Sequence, residues 1–222
     1  MKRITWMAPS DPVDAFPAVT QALDEPPGLL AAGGDLSPER LVAAYRRGIF
    51  PWYSPGEPVL WWSPDPREVL FPDELHVSRS LRRCVTRGQF TVTENRDFRA
   101  VITACATARG EDTGTWITAE MQNAYCTLHT LGVASSVEVW LEQELVGGLY
   151  GVRTGRVFSG ESMFSRHDNA SKVALVWLVD HCRERGIELI DCQMPSAHLR
   201  SLGSRALARQ AFLGFLPGGH LL

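Results

Sequence analysis

Two short stretches set ionisable side chains among apolar ones. In FSGESMFSR (158–166), Glu161 stands between Phe158, Met163 and Phe164. Apolar surroundings raise a carboxyl pKa or make the carboxylate a selective counter-ion for a cation. The alternative is a carboxylate bonded to the backbone amides of the helix that follows. Gly160 allows unusual backbone angles or the close approach of a ligand. In LIDCQ (189–193), two apolar residues lead into a polar triplet, and strand alternation sets Asp191 and Gln193 on one side. An Asp beside a Gln could orient an amide or take a proton, directly or by relay. Gln itself does not titrate and cannot be the base. The plainer alternative is that Asp191 caps the next turn. Cys192 faces the other way and has no histidine partner in a Cys/His motif, so it reads as core.

A third feature is basic. HVSRSLRRCVTRGQF (76–90) carries Arg79, Arg82, Arg83 and Arg87 with no acid, in a chain of net charge −3. A local basic face on a near-neutral protein suits a polyanion held at one place. A solvated helix face explains the same run. The fourth feature is aromatic: GIFPWYSPGEPVLWWSPDPR (48–67) crowds Trp52, Tyr53, Trp61 and Trp62 into proline-rich chain, which reads as neither helix nor central strand. Trp61 and Trp62 suit a plug between two structural units. Trp52, on a stiff loop, suits a stacking platform for a single-stranded nucleic-acid end, where a base on a ring contributes ~1–3 kcal/mol.

Several classes of chemistry lack their signatures. The six histidines show no H-x-x-x-H or H-E-x-x-H spacing, so no metal site is expected. Neither a P-loop nor a helix-opening G-x-G-x-x-G occurs, and GGLYG (147–151) lies in a strand-like run, so no nucleotide cofactor is expected. The five cysteines form no C-x-x-C and read as reduced thiols. No apolar run approaches the ~20 residues that span a bilayer, and no h-region follows the first basic residues. The expectation is a cytoplasmic protein with no membrane association.

The elements that must carry these residues follow from periodicity and punctuation. DLSPERLVAAYRRGIF predicts a helix capped by Ser37, with Pro38 first and Gly48 as its stop. LRRCVTRG, RDFRAVITACATAR and TAEMQNAYCTLHTLG predict three more, the last capped by Thr118. SVEVWLEQELVGGLYGVRTGRVFSG predicts strands with a turn at QE and another at TG, the last strand ending near Gly160. NASKVALVWLVDHCRERG predicts a helix, IELIDC a short strand, and AHLRSLGSRALARQAFLGFL two short helices separated at Gly203. SPDP at 63–66 marks a boundary. The fold class is α+β, with a small N-terminal domain (1–65) and a larger C-terminal one (66–222).

Taken in order, PPGLLAAGGDLSPERLVAAYRRGIFPWYSPGEPVLWWSPDPR, HVSRSLRR, GTWIT, LVGGLYG, FSGESMFSR-x-x-NASK and LIDCQ…HLRSLG resemble the leucyl/phenylalanyl-tRNA–protein transferase family. The resemblance implies a bacterial cytoplasmic enzyme that moves Leu or Phe, less readily Met, from aminoacyl-tRNA to an N-terminal Arg or Lys of proteins, marking them for N-end rule degradation. It implies a C-terminal domain related to the N-acetyltransferases, no cofactor and a monomer. By motif, it implies that Asp191 and Gln193 form a relay that helps deprotonate the attacking amine, with Glu161 near the reacting groups. Leu149, Phe158, Met163, Leu175, Leu178 and Ile190 would line the pocket for the transferred side chain. Tyr45, Trp52, Trp116 and Tyr125 would contact the aminoacyl-adenosine, and Arg79, Arg82, Arg83 and Arg87 the acceptor arm. The family often has Asn three residues after the Gln, where this chain has Ser196, and the tail beyond Gly203 is short and divergent. Competing readings are an acyl-CoA-dependent N-acyltransferase of the same superfamily and a non-catalytic tRNA-binding module.

Overall fold

The computed structural model describes residues 2–108 and 115–217. Arg109 of the second helix signal, Gly114 of GTWIT and the end of the tail (218–222) lie outside the described residues. In chain order the strands are β1 Thr5–Met7, β2 Leu29–Gly33, β3 Phe50–Pro51, β4 Leu60–Trp62, β5 Arg67–Leu70, β6 Thr91–Glu94, β7 Ala134–Leu141, β8 Glu144–Thr154, β9 Val157–Ser165, β10 Leu189–Gln193 and β11 Arg205–Leu207. The helices are α1 Pro38–Arg46, α2 Arg79–Arg87, α3 Phe98–Thr107, α4 Ala119–Thr130, α5 Ala170–Glu184, α6 Ala197–Ser201 and α7 Arg209–Leu213. The α+β class stands.

The strands form two sheets. One has four strands in the order β1-β2-β4-β3; the other has seven in the order β11-β5-β10-β9-β8-β7-β6. In the larger sheet every neighbouring pair is antiparallel except β9 and β10. A parallel pair needs a crossover, and α5 supplies it. Helices cover both faces: Leu149 of β8 joins the cluster of α5, whereas its neighbour Tyr150 joins that of α3 and α4. That second cluster runs without a break from Ile102 and Tyr125 through Tyr45 of α1 to Phe50 and Trp61 of the small sheet.

Four expectations need correction. The Pro/Trp segment does contain a central strand, because β4 lies between β2 and β3. Residues 60–62 hold no proline and can donate on both sides, while Pro51 sits on the edge strand β3. The hairpin turn is Glu142–Gln143, one residue earlier than QE, with Glu142 at φ 56°. Ser37 precedes α1 but its hydroxyl caps nothing; instead the Ser37 amide donates to Asp35. The last strand of the meander does not end near Gly160: β9 continues to Ser165 through a bulge. The short edge strands β6 and β11 were not among the expected elements; Phe90 and Val92 alternate with polar residues and pack on one core, but the run is short.

Candidate active site

Two bulges shape the site. Along β8 and β9, Tyr150 pairs with Ser162 and Gly151 with Gly160, which leaves Glu161 as the extra residue. Along β5 and β10, Val69 pairs with Asp191 and Glu68 with Gln193, which leaves Cys192 extra. A bulge reverses the alternation of the strand beyond it and re-aims the side chains there. Phe158 and Met163, five residues apart, therefore share a face, and Phe164 goes to the opposite core. Gly151 lies across from the first bulge, where a Cβ would come within 2.6 Å of the Phe158 ring. Gln193 takes a left-handed φ of 63°, so simple alternation does not describe how it relates to Asp191.

The bulged residues converge on a cleft of about 330 Å³. Leu149, Phe158, Met163, Leu175, Leu178 and Ile190 line its apolar part. Glu161, Asp191 and Gln193 stand in one wall, and Trp52 and Trp116 also border it. Trp52 is 38% exposed, and its ring lies 5.5 Å from that of Trp62, whose indole donates to the Trp52 carbonyl. Trp61 is fully buried against Phe16 and donates to Gly33, partners that both belong to the small N-terminal unit.

Glu161 is the titratable centre of this wall. Gln193 Nε2 donates to its Oε1 at 2.8 Å, and the Tyr125 hydroxyl donates to its Oε2 at 3.0 Å. Tyr125 is in turn hydrogen-bonded to the hydroxyl of Tyr45. Burial lifts Glu161 to about 7, against the lowering effect of hydrogen bonds from the two tyrosines; the nearby charge of Asp191 adds to the rise and Arg67 opposes it. Tyr45 and Tyr125 do not line the cleft as the aminoacyl-adenosine contacts were expected to do. Both are buried behind Glu161, because their phenols find their polar partners there.

Asp191 has a different environment. Arg67 grips it through both carboxylate oxygens at 2.7 Å, with both side chains almost wholly excluded from solvent. Arg67 also donates to the Gly48 carbonyl, and its guanidinium lies 4.7 Å from the ring centres of Phe50 and Phe212. Asp191 further accepts from Ser159 and from the backbone amide of Gln193. Its lone pairs are thus committed to holding the second bulge, and the side-chain amide of Gln193 meets Glu161 rather than Asp191. Gln193 Oε1 accepts no hydrogen bond among the described residues and is free for a donor arriving in the cleft. Burial, reinforced by the charges of Asp191 and Glu68, pushes the Cys192 thiol up, which keeps it inert.

Sequence reasoning missed Arg67, which is 124 residues from Asp191 in the chain. One signal was present: REVL opens β5 with an arginine in a strand buried at every position, and a buried guanidinium requires a buried acid. Also unforeseen was the part of the divergent tail that packs Phe212 onto Arg67. Pro195, Ser196 and His198 border the cleft, and Ser196 caps α6 by accepting from the Leu199 amide. Among the described residues no group of three His, Cys, Asp or Glu side chains is placed to hold a metal ion, and no helix is long and apolar enough to cross a membrane.

Comparison with known proteins settles the family. The model for the leucyl/phenylalanyl-tRNA protein transferase matches residues 69–217, and that for its N-terminal domain matches 34–65. The chain belongs to the leucyl/phenylalanyl-tRNA–protein transferases. A relative of that name from Pseudomonas aeruginosa PAO1 is 63% identical over 96% of this chain and 93% of its own. Another from Pseudomonas putida W619 is 60% identical over the same shares. Among solved structures, a GCN5-related N-acetyltransferase from Kribbella flavida aligns with 75% of this chain and 59% of its own, at 12% identity and a TM-score of 0.41. An alignment that loose has no bearing on function.

In this transferase the basic run forms α2. Ser78 caps it by accepting from the Leu81 amide, and Gly88 closes it at φ 66°. Arg79, Arg82, Arg83 and Arg87 are all exposed, and none forms an ion pair among the described residues. Arg83 and Arg87 share a second cavity with His167 of the loop that precedes α5.

Proposed function

We propose that this transferase moves Leu or Phe, and less readily Met, from aminoacyl-tRNA to the N-terminal Arg or Lys of proteins, as a cytoplasmic monomer whose products enter N-end rule degradation. The observation that carries the reading is Glu161: a buried carboxyl held near 7 beside an apolar cleft. The apolar part suits one aromatic side chain or an aliphatic one unbranched at Cβ, and Met163 gives it the adaptability to take several. One methylene is worth only ~1–3 kcal/mol in such a pocket. β-branched Ile and Val are disfavoured by shape.

The amine nitrogen of the acceptor attacks the ester carbonyl carbon of the aminoacyl group. Glu161, ionised, takes one proton from that nitrogen, with Gln193 Oε1 accepting a hydrogen bond from the amine and Gln193 Nε2 holding the carboxylate in place. The C–O bond to the ribose then breaks, and the proton held by Glu161 passes to the departing ribose oxygen. An aminoacyl ester is already activated, so alignment and proton transfer supply what the reaction needs. Trp52 and Trp116 flank the terminal adenosine and the arginines of α2 hold the acceptor arm, a reading supported by the two indoles bordering the cleft and by the exposure of the guanidiniums. The same reading divides the chain at residue 65, supported by the change of sheet between Trp62 and Arg67.

The test is transfer of labelled Leu from Leu-tRNA to peptides that begin with Arg or Ala. Product is expected with the Arg peptide alone, and none after ribonuclease treatment. Equal labelling of both peptides, comparable use of Ile-tRNA, or ribonuclease-resistant activity with an acyl-CoA would overturn the reading.

A further inference from the structure

A tRNA that rests on α2 and delivers its ester to the cleft must cross the ground between them. The first turn of α5 forms that ground. Arg83 and Arg87 of α2 share a cavity with Asp168 and Asn169, which lead into α5, and Leu175 and Leu178 of α5 line the cleft. Lys172 precedes Leu175 by three residues, so the two are neighbours on the helix surface. The Lys172 side chain is half-buried, and its ammonium has no hydrogen bond or ion pair among the described residues. No acid occupies the first turn of α5 to neutralise it. A cation at this end of a helix opposes the helix dipole, and partial burial without a partner adds to the cost. The charge also lies close to the cleft rim: His198, a lining residue, is held below its ordinary range by burial first and by Lys172 second.

We propose that Lys172 is a phosphate contact for the single-stranded 3′ end of the aminoacyl-tRNA, gripping the backbone between the duplex on α2 and the ester in the cleft. This rests on the aminoacyl-tRNA reading above. The ester sits on the terminal ribose, and the nearest anion is the phosphodiester on the 5′ oxygen of that same ribose. The acidic groups among the cleft-lining residues are Glu161 and Asp191, so the phosphate must leave the cleft on a side away from their wall. Lys172 offers an unpaired cation on the route to α2, and the phosphate resolves its missing partner.

Leucyl transfer to an Arg peptide is measured with three donors: Leu-tRNA, a 3′-leucylated CCA trinucleotide, and leucyl-adenosine, which has no phosphate. Lys172→Ala is expected to raise KM about 5- to 10-fold for the first two donors, with kcat unchanged, and to leave leucyl-adenosine unaffected. Lys172→Arg restores the wild-type KM. The dependence of log KM on log salt with the trinucleotide becomes shallower by about 0.7. An unchanged KM for the trinucleotide overturns the proposal, as does an equal loss with leucyl-adenosine, which marks a merely structural lysine. Failure of the wild-type protein to use any of the three donors is a different result and strikes the underlying function instead.

Discussion

The cleft wall and the outer face of α2 are both rich in charge, and they are built in opposite ways. In the wall each ionisable group is buried and has a fixed partner: Arg67 with Asp191, and Glu161 with Gln193 and Tyr125. On α2 four guanidiniums stand in solvent with no ion pair among the described residues. In the mechanism proposed above the wall handles a proton at one atom, and bond making tolerates little positional error. In the same proposal the helix meets a phosphate backbone, which is read as charge and needs cations free to adjust. Burial and preorganisation mark the reaction; exposure and lack of partners mark the recognition.

The largest effect comes from breaking the wall. Arg67→Met leaves Asp191 buried without a counter-charge, and a loss of about 3–5 kcal/mol in unfolding free energy is expected. Urea denaturation measures it; a variant as stable as the wild type would mean that this pair does not hold the second bulge. The helix is expected to respond far more mildly. Arg82→Ala with Arg83→Ala should leave the urea midpoint unchanged and raise KM for Leu-tRNA about tenfold. The slope of log KM against log salt should fall by about 0.9 for each phosphate that no longer meets a guanidinium. If the double variant instead unfolds early, α2 is part of the framework and the contrast with the wall disappears.

The two regions were also unequally legible in the sequence. α2 was legible from LRRCVTRG, because what makes it is local, arginines with no acid among them; the structure adds Ser78 as cap and Gly88 as stop. Glu161 could be recognised as an acid among apolar residues, but not the bulge that aims it, since an extra residue looks like a strand ending. The partners of the wall were out of reach. Tyr45 and Tyr125 are 80 residues apart, and Arg67 and Asp191 farther still. Only the closing of the large sheet and the packing of α1 on α4 bring them together. The proline-rich segment misled for a related reason: its prolines bracket β4 without entering it, so composition hid a three-residue central strand.

Glu161 carries the account, and its ionisation links function to stability with a definite sign. Its carboxyl rises from 4.5 to about 7 on folding, so the fold favours the protonated form. The stabilisation is whole below pH 4.5 and is lost as pH rises through about 7, a difference on the order of 3 kcal/mol. In the proposed mechanism the ionised form accepts the amine proton, so stability is expected to fall across the pH range in which activity is expected to rise. The deciding measurement is the single-turnover rate of leucyl transfer to an Arg peptide between about pH 5.5 and 8.5, for the wild type and Glu161→Gln. The wild-type rate is expected to rise through two ionisations, Glu161 near 7 and the amine near ~8, so that its logarithm climbs with a slope of about 2 below pH 7. Glu161→Gln should be at least ~100-fold slower, keep only the rise due to the amine itself near ~8, and be more stable than the wild type above about pH 7. A Glu161→Gln variant that keeps both the rate of the wild type and its ionisation near 7 would contradict the account.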